Sequence, residues 1–190
     1  YPKIVRWIKT TGKANPSVKR SELLTDEELK KILSVAESAR DKAFIHVLAE
    51  SGCRISEIGT LKRKDVNFDR YGCQINVFGK TGARPIRLVK SVNDLFFWYK
   101  HHPSTKEESA LWCVPNDPMD CLGYNSFLRI LRKNFRLAGV NKKHNPHRLR
   151  HRSITMLSQH LSDSELKIFA GWSANSRQME TYVHLTGGDV

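Results

Sequence analysis

The sequence predicts a mainly α-helical fold with a small antiparallel β-sheet, in the α+β class. Apolar residues recur at helical spacing through most of the chain. Two of these stretches open on a capping box, in which a hydroxyl residue is followed three positions later by glutamate. One central stretch alternates apolar and polar residues instead, as a half-buried strand does. With 190 residues, 39% of them hydrophobic, the chain is long enough for one domain with its own core.

The first part of the chain predicts three helices. The capping box of Thr25 and Glu28 opens the first helix, and the apolar spacing extends it to about Ser38. A second helix is predicted over residues 41–52, because the glycine at its end is a favoured helix stop. A short third helix is predicted over residues 55–61.

The centre of the chain predicts a β-hairpin. Apolar and polar residues alternate around Ile75 and again around Ile86. The Gly79-Lys80-Thr81-Gly82 segment lies between these two stretches and has the composition of a turn. A third strand is predicted around Val66–Phe68.

The second half of the chain predicts five more helices and one irregular stretch. The helices are predicted over residues 92–99, 124–138, 146–160, 162–171 and 176–185. Ser162 and Glu165 form the second capping box. Three prolines mark the irregular stretch between the first two of these helices: Pro103, Pro115 and Pro118.

The chain is strongly basic, with 32 Lys and Arg against 19 Asp and Glu and a formal net charge of +13. These charges are spread along the chain, which favours a folded domain whose basic face binds a polyanion. An ordinary solvated surface is the alternative, since charge alone does not identify a partner. No apolar run approaches the ~20 residues of a membrane span, and no signal peptide opens the chain.

The cysteines argue against a zinc site, because none of the four forms a C-x-x-C pair. They are Cys53, Cys73, Cys113 and Cys121. Their scatter predicts reduced thiols in an intracellular protein.

The helix predicted after Pro146 presents two candidate anion ligands, His147 and Arg150. One face is formed by residues at offsets 0, 3, 4 and 7, namely His147, Arg150, His151 and Ile154. The opposite face, which we expect to pack on the core, is formed by Leu149, Ser153, Met156 and Leu157. His147 and Arg150 would thus project together near a helix N-terminus, where an anion is favoured. An isolated H-x-x-R is more typical of a solvated basic face.

Four further side chains suit attack on a phosphodiester, although each alone has an ordinary explanation. They are Arg54, Lys80, Trp172 and Tyr182. Alone, Arg54 would be an exposed arginine at a helix start, or one paired with Glu57. Lys80 would be a polar turn residue, and the two aromatic residues would be packing residues. Their occurrence together with H-x-x-R, in this order, favours a catalytic set.

The ordered set closely resembles the catalytic domain of the tyrosine recombinases, the phage and archaeal integrase family. The family pattern is an arginine near a helix start, a lysine in a β-turn, H-x-x-R, a histidine or tryptophan, and a nucleophilic tyrosine. It is met here by Arg54, Lys80, His147 with Arg150, Trp172 and Tyr182. The resemblance extends from about residue 21 to residue 186.

The chemistry assigns each residue a role on one scissile phosphate. Arg54 and Arg150 would clamp the non-bridging oxygens, because a guanidinium presents a rigid fork of donors. Tyr182 would attack, with His147 as the candidate base. The resemblance implies that Lys80 gives a proton to the leaving 5′ oxygen and that Trp172 holds a phosphate oxygen. No cofactor is predicted, since no acidic cluster suggests a catalytic metal and the phosphotyrosyl bond conserves the energy of the cut.

The predicted function is therefore enzymatic: site-specific DNA recombination through a 3′-phosphotyrosyl intermediate, in the integrase of a virus or mobile element. Alternatives are a type IB topoisomerase-like or hairpin-resolvase activity, or a non-catalytic basic DNA-binding module. The intact Tyr182 argues against the last, since phosphate binding does not require a phenol there.

The resemblance also predicts the domain organisation and the partners. Residues 1–20 would be a linker or the end of a preceding core-binding domain, and residues 21–190 the catalytic domain. Because the chain begins at Tyr1 without Met, we expect it to be part of a longer protein. The expected partners are double-stranded DNA and further copies of the chain, from dimer to tetramer. The expected location is the cytoplasm of a prokaryotic host, at the nucleoid.

Overall fold

The structure, a computed structural model, describes residues 20–79, 82–173, 176 and 178. Within these ranges it is rich in helices and contains two small antiparallel sheets, so the predicted fold class is confirmed. The helices are α1 (Asp26–Ser34), α2 (Ala39–Ser51), α3 (Ile55–Gly59), α4 (Val92–Lys100), α5 (Tyr124–Leu137), α6 (Pro146–Leu157) and α7 (Asp163–Ala170). The strands are β1 (Val66–Asp69), β2 (Gly72–Gly79), β3 (Gly82–Leu88), β4 (Cys113–Val114) and β5 (Asp117–Cys121).

Both predicted capping boxes are present, but α1 is shorter than predicted. Thr25 caps α1 and Ser162 caps α7, each with the reciprocal glutamate contact. The helix predicted to reach Ser38 ends at Ser34. Ser38 instead caps α2, because its side chain accepts a hydrogen bond from the backbone of Asp41. A serine that suits a helix interior poorly is thus used where it stabilises a helix start.

Helix α2 is the centre of the hydrophobic core. Its buried side chains lie on several sides of the helix rather than on one stripe, and include Ala43, Phe44, Ile45, Val47 and Leu48. The Phe44 ring stacks on Phe127 at 4.5 Å and meets Trp112 edge-on at 5.5 Å. The helix ends at Gly52 in a left-handed conformation, as predicted. Because it is buried on several sides, α2 provides a fixed support for the segment that follows it.

The first sheet has the order β1-β2-β3, so the predicted hairpin and third strand are confirmed. Its register pairs Val66 with Ile75 and Ile75 with Ile86. Gly79 pairs with Gly82 at the end of the hairpin, and Lys80 and Thr81, predicted to form the turn, lie outside the described residues.

The second sheet, β4-β5, was not predicted. It lies in the stretch that the prolines marked as irregular, and it pairs Cys113 with Cys121. Strand β4 has only two residues, and β5 contains a proline and is mostly exposed. A strand that is so short and so exposed leaves no alternation for the sequence to reveal.

Helix α6 buries more of its surface than predicted, and the division into two faces was partly wrong. Ile154, assigned to the exposed face, is fully buried, whereas Met156, assigned to the core face, is 36% exposed. The reason is that α6 packs on two sides. Ser153 donates a hydrogen bond to the Glu50 carbonyl of α2 at 2.7 Å, while Ile154 packs against Leu166 of α7.

Two further helices end before their predicted ends. Helix α3 ends at Gly59 and α6 at Leu157, each short of its predicted end. The helix predicted over residues 176–185 lies almost wholly outside the described residues, and Tyr182 with it. All four cysteines are free thiols. In the part of the chain that the structure describes, no helix combines the length and apolar character needed to cross a membrane.

Candidate active site

Three of the six predicted site residues line one cavity of about 260 Å³. Arg54, His147 and Arg150 reach it from the start of α3 and from the first turns of α6. The remaining lining residues are Cys53, Ile55, Ser56, Tyr124 and Pro146. Side chains almost a hundred positions apart in the sequence therefore share one site.

Arg54 occupies the N-cap position of α3 and is held by Glu57. Its backbone N–H donates to Glu57 Oε2 at 2.7 Å, and its Nη1 donates to Glu57 Oε1 at 3.0 Å. Nη1 also lies 3.5 Å from the carbonyl oxygen of Gly171, to which it donates. The side chain remains 32% exposed. Arg54 is thus oriented by the protein while part of its guanidinium faces solvent.

Arg150 is held more firmly, and it is only 6% exposed. Its Nη1 donates to the Gly52 carbonyl and its Nη2 to the Ala170 carbonyl, both at 2.7 Å. These carbonyls lie at the C-terminal ends of α2 and α7, where the helix dipoles favour a cation. Two helix ends therefore set the position of this guanidinium before any ligand arrives.

His147 lies at the second position of α6, and its side chain is exposed at the cavity. Asn145 caps the helix and accepts a hydrogen bond from the His147 backbone N–H at 2.9 Å. Pro146 occupies the first turn, where its missing N–H costs nothing. The cap and the proline explain why α6 begins where its first turn faces the cavity.

Trp172 supports the site from behind and does not line the cavity. It is 6% exposed and packs with Ile154, Leu166 and Ala170. Arg150 Cζ lies 5.8 Å from the centre of its ring, within the range of a cation–π contact. Its proposed contact with a phosphate oxygen remains a prediction, as do the roles of Lys80 and Tyr182, which lie outside the described residues.

A buried ion pair next to the cavity was missed. Arg84 of β3 is 8% exposed and makes a two-pronged contact with Glu57, which is 3% exposed; both N···O distances are 3.0 Å. Its Nε donates to the Phe169 carbonyl at 3.0 Å, and Nη2 lies 3.6 Å from Cys53 Sγ. Burial opposes both charges, but the hydrogen bonds and the opposite charges, those of Arg54 included, together outweigh it. The pKa of Glu57 is consequently lowered and the pKa of Arg84 raised.

The sequence did contain a signal for Arg84. Arg84 lies two and four positions before Ile86 and Leu88, so all three share the inward face of the strand. A buried arginine there requires a partner. Only the fold identifies that partner, since Glu57 is 27 residues away. Distance along the chain also hid Tyr124, which is 57% exposed on α5 and lines the cavity.

Two glycines leave room for the Arg84–Glu57 pair. A Cβ on Gly79 would lie 2.4 Å from Glu57 Oε1, and one on Gly171 would lie 2.7 Å from Arg84 Cζ. Gly171 also has a φ of +62°, which disfavours any other residue. Gly79 directly precedes Lys80, and Gly171 directly precedes Trp172. The pair thus packs against the backbone beside two predicted site residues.

Two further groups, Cys53 and His151, are disfavoured in their charged forms. Burial raises the pKa of the Cys53 thiol to about 11, so this residue is a poor nucleophile at neutral pH. Burial, reinforced by the positive charges of His147, Arg148 and Arg150, lowers the pKa of His151 to about 4. Within the described ranges, no group of three or more histidine, cysteine, aspartate or glutamate side chains could hold a metal ion.

The helical fold, the hairpin and the shared cavity define a catalytic domain of the integrase type. Comparison with known proteins leads to the same class. The model of the phage integrase family matches residues 22–187, so the chain belongs to this family.

Similar proteins include tyrosine recombinases of archaea and bacteria. Tyrosine recombinase XerA of Pyrococcus horikoshii is 30% identical over 146 residues, which cover 74% of this chain and 50% of XerA. Tyrosine recombinase XerD of Pseudomonas putida is 29% identical over 137 residues, covering 69% of this chain and 45% of XerD. The chain thus spans about half the length of the curated relatives it matches.

Solved structures share the fold. A crystal structure of XerA recombinase superposes with a TM-score of 0.73 at 25% identity, covering 86% of this chain and 60% of that one. The XerH recombinase bound to its difH substrate gives a TM-score of 0.69 at 23% identity, covering 86% of this chain and 50% of XerH. A lambda integrase dimer bound to a core site gives 0.65 at 16% identity, covering 84% and 47%. The last two, at such identities, support the fold alone.

Proposed function

We propose that this domain breaks and rejoins DNA strands as the catalytic part of a site-specific recombinase, through a 3′-phosphotyrosyl intermediate. The observation that supports this most is the convergence of Arg54, His147 and Arg150 on one cavity in a chain of the phage integrase family. Such a site suits the transfer of a phosphoryl group between two oxygens.

The cavity suits the transition state of that transfer. Attack on a phosphodiester adds negative charge to the non-bridging oxygens, and preorganised donors stabilise it most when they need no rearrangement. Arg150, fixed by two helix ends, and Arg54, fixed by Glu57, satisfy this condition. Loss of one such donor commonly lowers the rate by about 10²–10³.

Tyr182 supplies the nucleophile in this proposal. Its phenolic oxygen bonds to phosphorus as the bond to the 5′ oxygen breaks, His147 takes the phenolic proton, and Lys80 protonates the leaving oxygen. Attack by a 5′ hydroxyl of the same or another strand reverses these steps and releases Tyr182. The side chains of His147 and Lys80 take up and return each proton. Because one phosphate ester bond forms as another breaks, no external energy source is needed.

The proposed partner is double-stranded DNA, bound by residues 21–190. Residues 1–20 would be a linker or the end of a preceding core-binding domain. The net charge of +13 supports DNA as the partner, as does the membership of the phage integrase family. Self-association on DNA, from dimer to tetramer, and a location in the prokaryotic cytoplasm belong to the same proposal. A cell that harbours a virus or mobile element is the setting that these activities suit.

Covalent capture of DNA tests the proposal. The 190-residue chain would be incubated with a pool of nicked suicide duplexes randomised around the nick, and adducts resolved on a denaturing gel. We expect Tyr182→Phe to abolish the adduct while DNA affinity in a gel shift stays nearly unchanged. Tyr124→Phe is the matched control, because Tyr124 lines the cavity and should not be the attacking residue.

The outcomes separate the alternatives. An adduct that persists in Tyr182→Phe and disappears in Tyr124→Phe would assign the nucleophile to Tyr124. DNA binding by the unaltered chain without any adduct would favour a non-catalytic DNA-binding module.

A further inference from the structure

We propose that Arg84 is a positioning residue for the phosphate site: it neutralises Glu57 and thereby leaves the charge of Arg54 available to DNA. This inference rests on the proposed phosphoryl transfer, and it assigns a role to a residue that does not itself line the cavity. Its basis is the set of contacts that Arg84 makes with the segment from Cys53 to Glu57 and with the end of α7.

Arg84 connects the sheet to the start of α3 and to the end of α7. From β3 it contacts the Glu57 carboxylate in α3, the Phe169 carbonyl in α7, and the Cys53 sulfur before α3. Both segments also position the catalytic arginines. Cys53 directly precedes Arg54, and the Ala170 carbonyl, next to Phe169, accepts a hydrogen bond from Arg150. A shift of the Arg84 guanidinium would therefore be transmitted to both arginines.

The Glu57 carboxylate is shared between two arginines. Oε1 accepts from Nη1 of Arg54 and from Nη1 of Arg84, each at 3.0 Å. Oε2 accepts from the Arg54 backbone N–H at 2.7 Å and from Nη2 of Arg84 at 3.0 Å. Four donors thus fix the orientation of this carboxylate, and it in turn fixes Arg54.

The charge balance explains why a second arginine is needed. Arg54, Arg84 and Glu57 together have a net charge of +1, from two cations and one anion. Without Arg84, Arg54 and Glu57 would cancel to zero, and the carboxylate would repel an incoming phosphate. Since Coulomb interactions are strong in a poorly solvated site, this difference bears directly on the developing charge.

The strand itself provides a matched control. Arg87, also on β3, donates from Nη1 to both carboxylate oxygens of Asp69, at 2.7 and 2.8 Å, but its side chain is 40% exposed. Residue type, strand and kind of partner are the same, whereas burial, proximity to the cavity and the number of donating nitrogens differ.

The experiment measures single-turnover cleavage of the suicide duplex at saturating DNA, at a temperature well below the unfolding midpoint of every variant. We expect Arg84→Met to lower the cleavage rate about 10- to 100-fold, as small misplacements of catalytic groups do. DNA affinity should change far less. Arg87→Met should keep the rate of the unaltered chain.

A charge-compensated double variant separates this role from simple stabilisation. In the double variant Arg84→Met with Glu57→Gln, no carboxylate opposes the charge of Arg54. Cleavage per folded molecule should therefore recover several-fold over Arg84→Met alone. Arg84→Lys, which keeps the charge but not the fork, should fall between the unaltered chain and Arg84→Met. An unchanged rate in Arg84→Met, or a double variant no faster than the single one, would overturn the proposal.

A second probe makes the result independent of catalysis. Inorganic phosphate should raise the unfolding midpoint of the unaltered chain and that of the double variant. It should raise the midpoint of Arg84→Met by a smaller amount. If the unaltered chain forms no adduct, the proposed function fails, and this series alone decides the role of Arg84. An equal response to phosphate in all variants would then contradict it.

Discussion

Two arginine–carboxylate pairs on strand β3 differ mainly in burial. Arg84 and Glu57 are 8% and 3% exposed beside the cavity, whereas Arg87 and Asp69 are 40% and 33% exposed on the opposite face. In water a pair of this kind contributes little, because solvent already screens both charges. In the interior each partner depends on the other, since an unpaired buried charge is costly. The same chemical contact is therefore dispensable at one face and structural at the other.

Removal of one carboxylate at a time should produce the largest contrast. Glu57→Ala leaves Arg84 buried without its counter-charge, so we expect the free energy of unfolding to fall by about 3–5 kcal/mol. Asp69→Ala should leave the midpoint of denaturant unfolding nearly unchanged, because Arg87 is then solvated. Urea titrations followed by circular dichroism would measure both. Equal effects of the two substitutions would end the distinction.

Filling the space beside the buried Arg84–Glu57 pair should lower the stability by a smaller amount. Gly171→Ala places a Cβ 2.7 Å from the Arg84 guanidinium at a φ of +62°, whereas Gly139→Ala meets nothing within 4 Å at a φ of +65°. Both variants share the conformational cost of about 1 kcal/mol, so their difference reports the contact with Arg84. We expect Gly171→Ala to have the lower unfolding midpoint in a thermal melt. A matching midpoint for Gly139→Ala would mean that the guanidinium moves aside freely.

His151 tests the opposite case, burial beside cations instead of beside a carboxylate. Its pKa is lowered to about 4, so between pH 6.5 and 4 the unfolded chain binds more protons than the folded one. Stability should therefore be complete above pH 6.5 and decline as the pH falls through this window. His151→Gln, which takes up no proton, should decline less steeply in thermal melts. Parallel curves over the whole range would remove this histidine from the acid response.

Sequence patterns predicted those features that depend on neighbouring residues. The capping boxes at Thr25 and Ser162, the stop at Gly52 and the hairpin around Ile75 each arise from residues within a few positions. The conjunction of Arg54 with His147 and Arg150 was predicted only because their order resembles a known family. The structure shows that these three residues line one cavity. Their catalytic roles stay predictions.

Features that depend on distant residues escaped prediction. Arg84 pairs across 27 positions, and Ile154 is buried because α7 returns to cover it. The β4–β5 hairpin has too few residues to show a period. Lys80 and Tyr182 fall outside the described residues, so their roles remain predictions from the sequence.

The central claim is that side chains from distant segments converge on one scissile phosphate that a tyrosine attacks. Its most direct test is to trap the chain on a nicked suicide duplex, digest the adduct, and identify the DNA-linked peptide by mass spectrometry. We predict that the linked residue is Tyr182, and that Arg150→Ala lowers the yield of this peptide about 10²-fold or more. Linkage to any other residue, or an undiminished yield from Arg150→Ala, would contradict the claim.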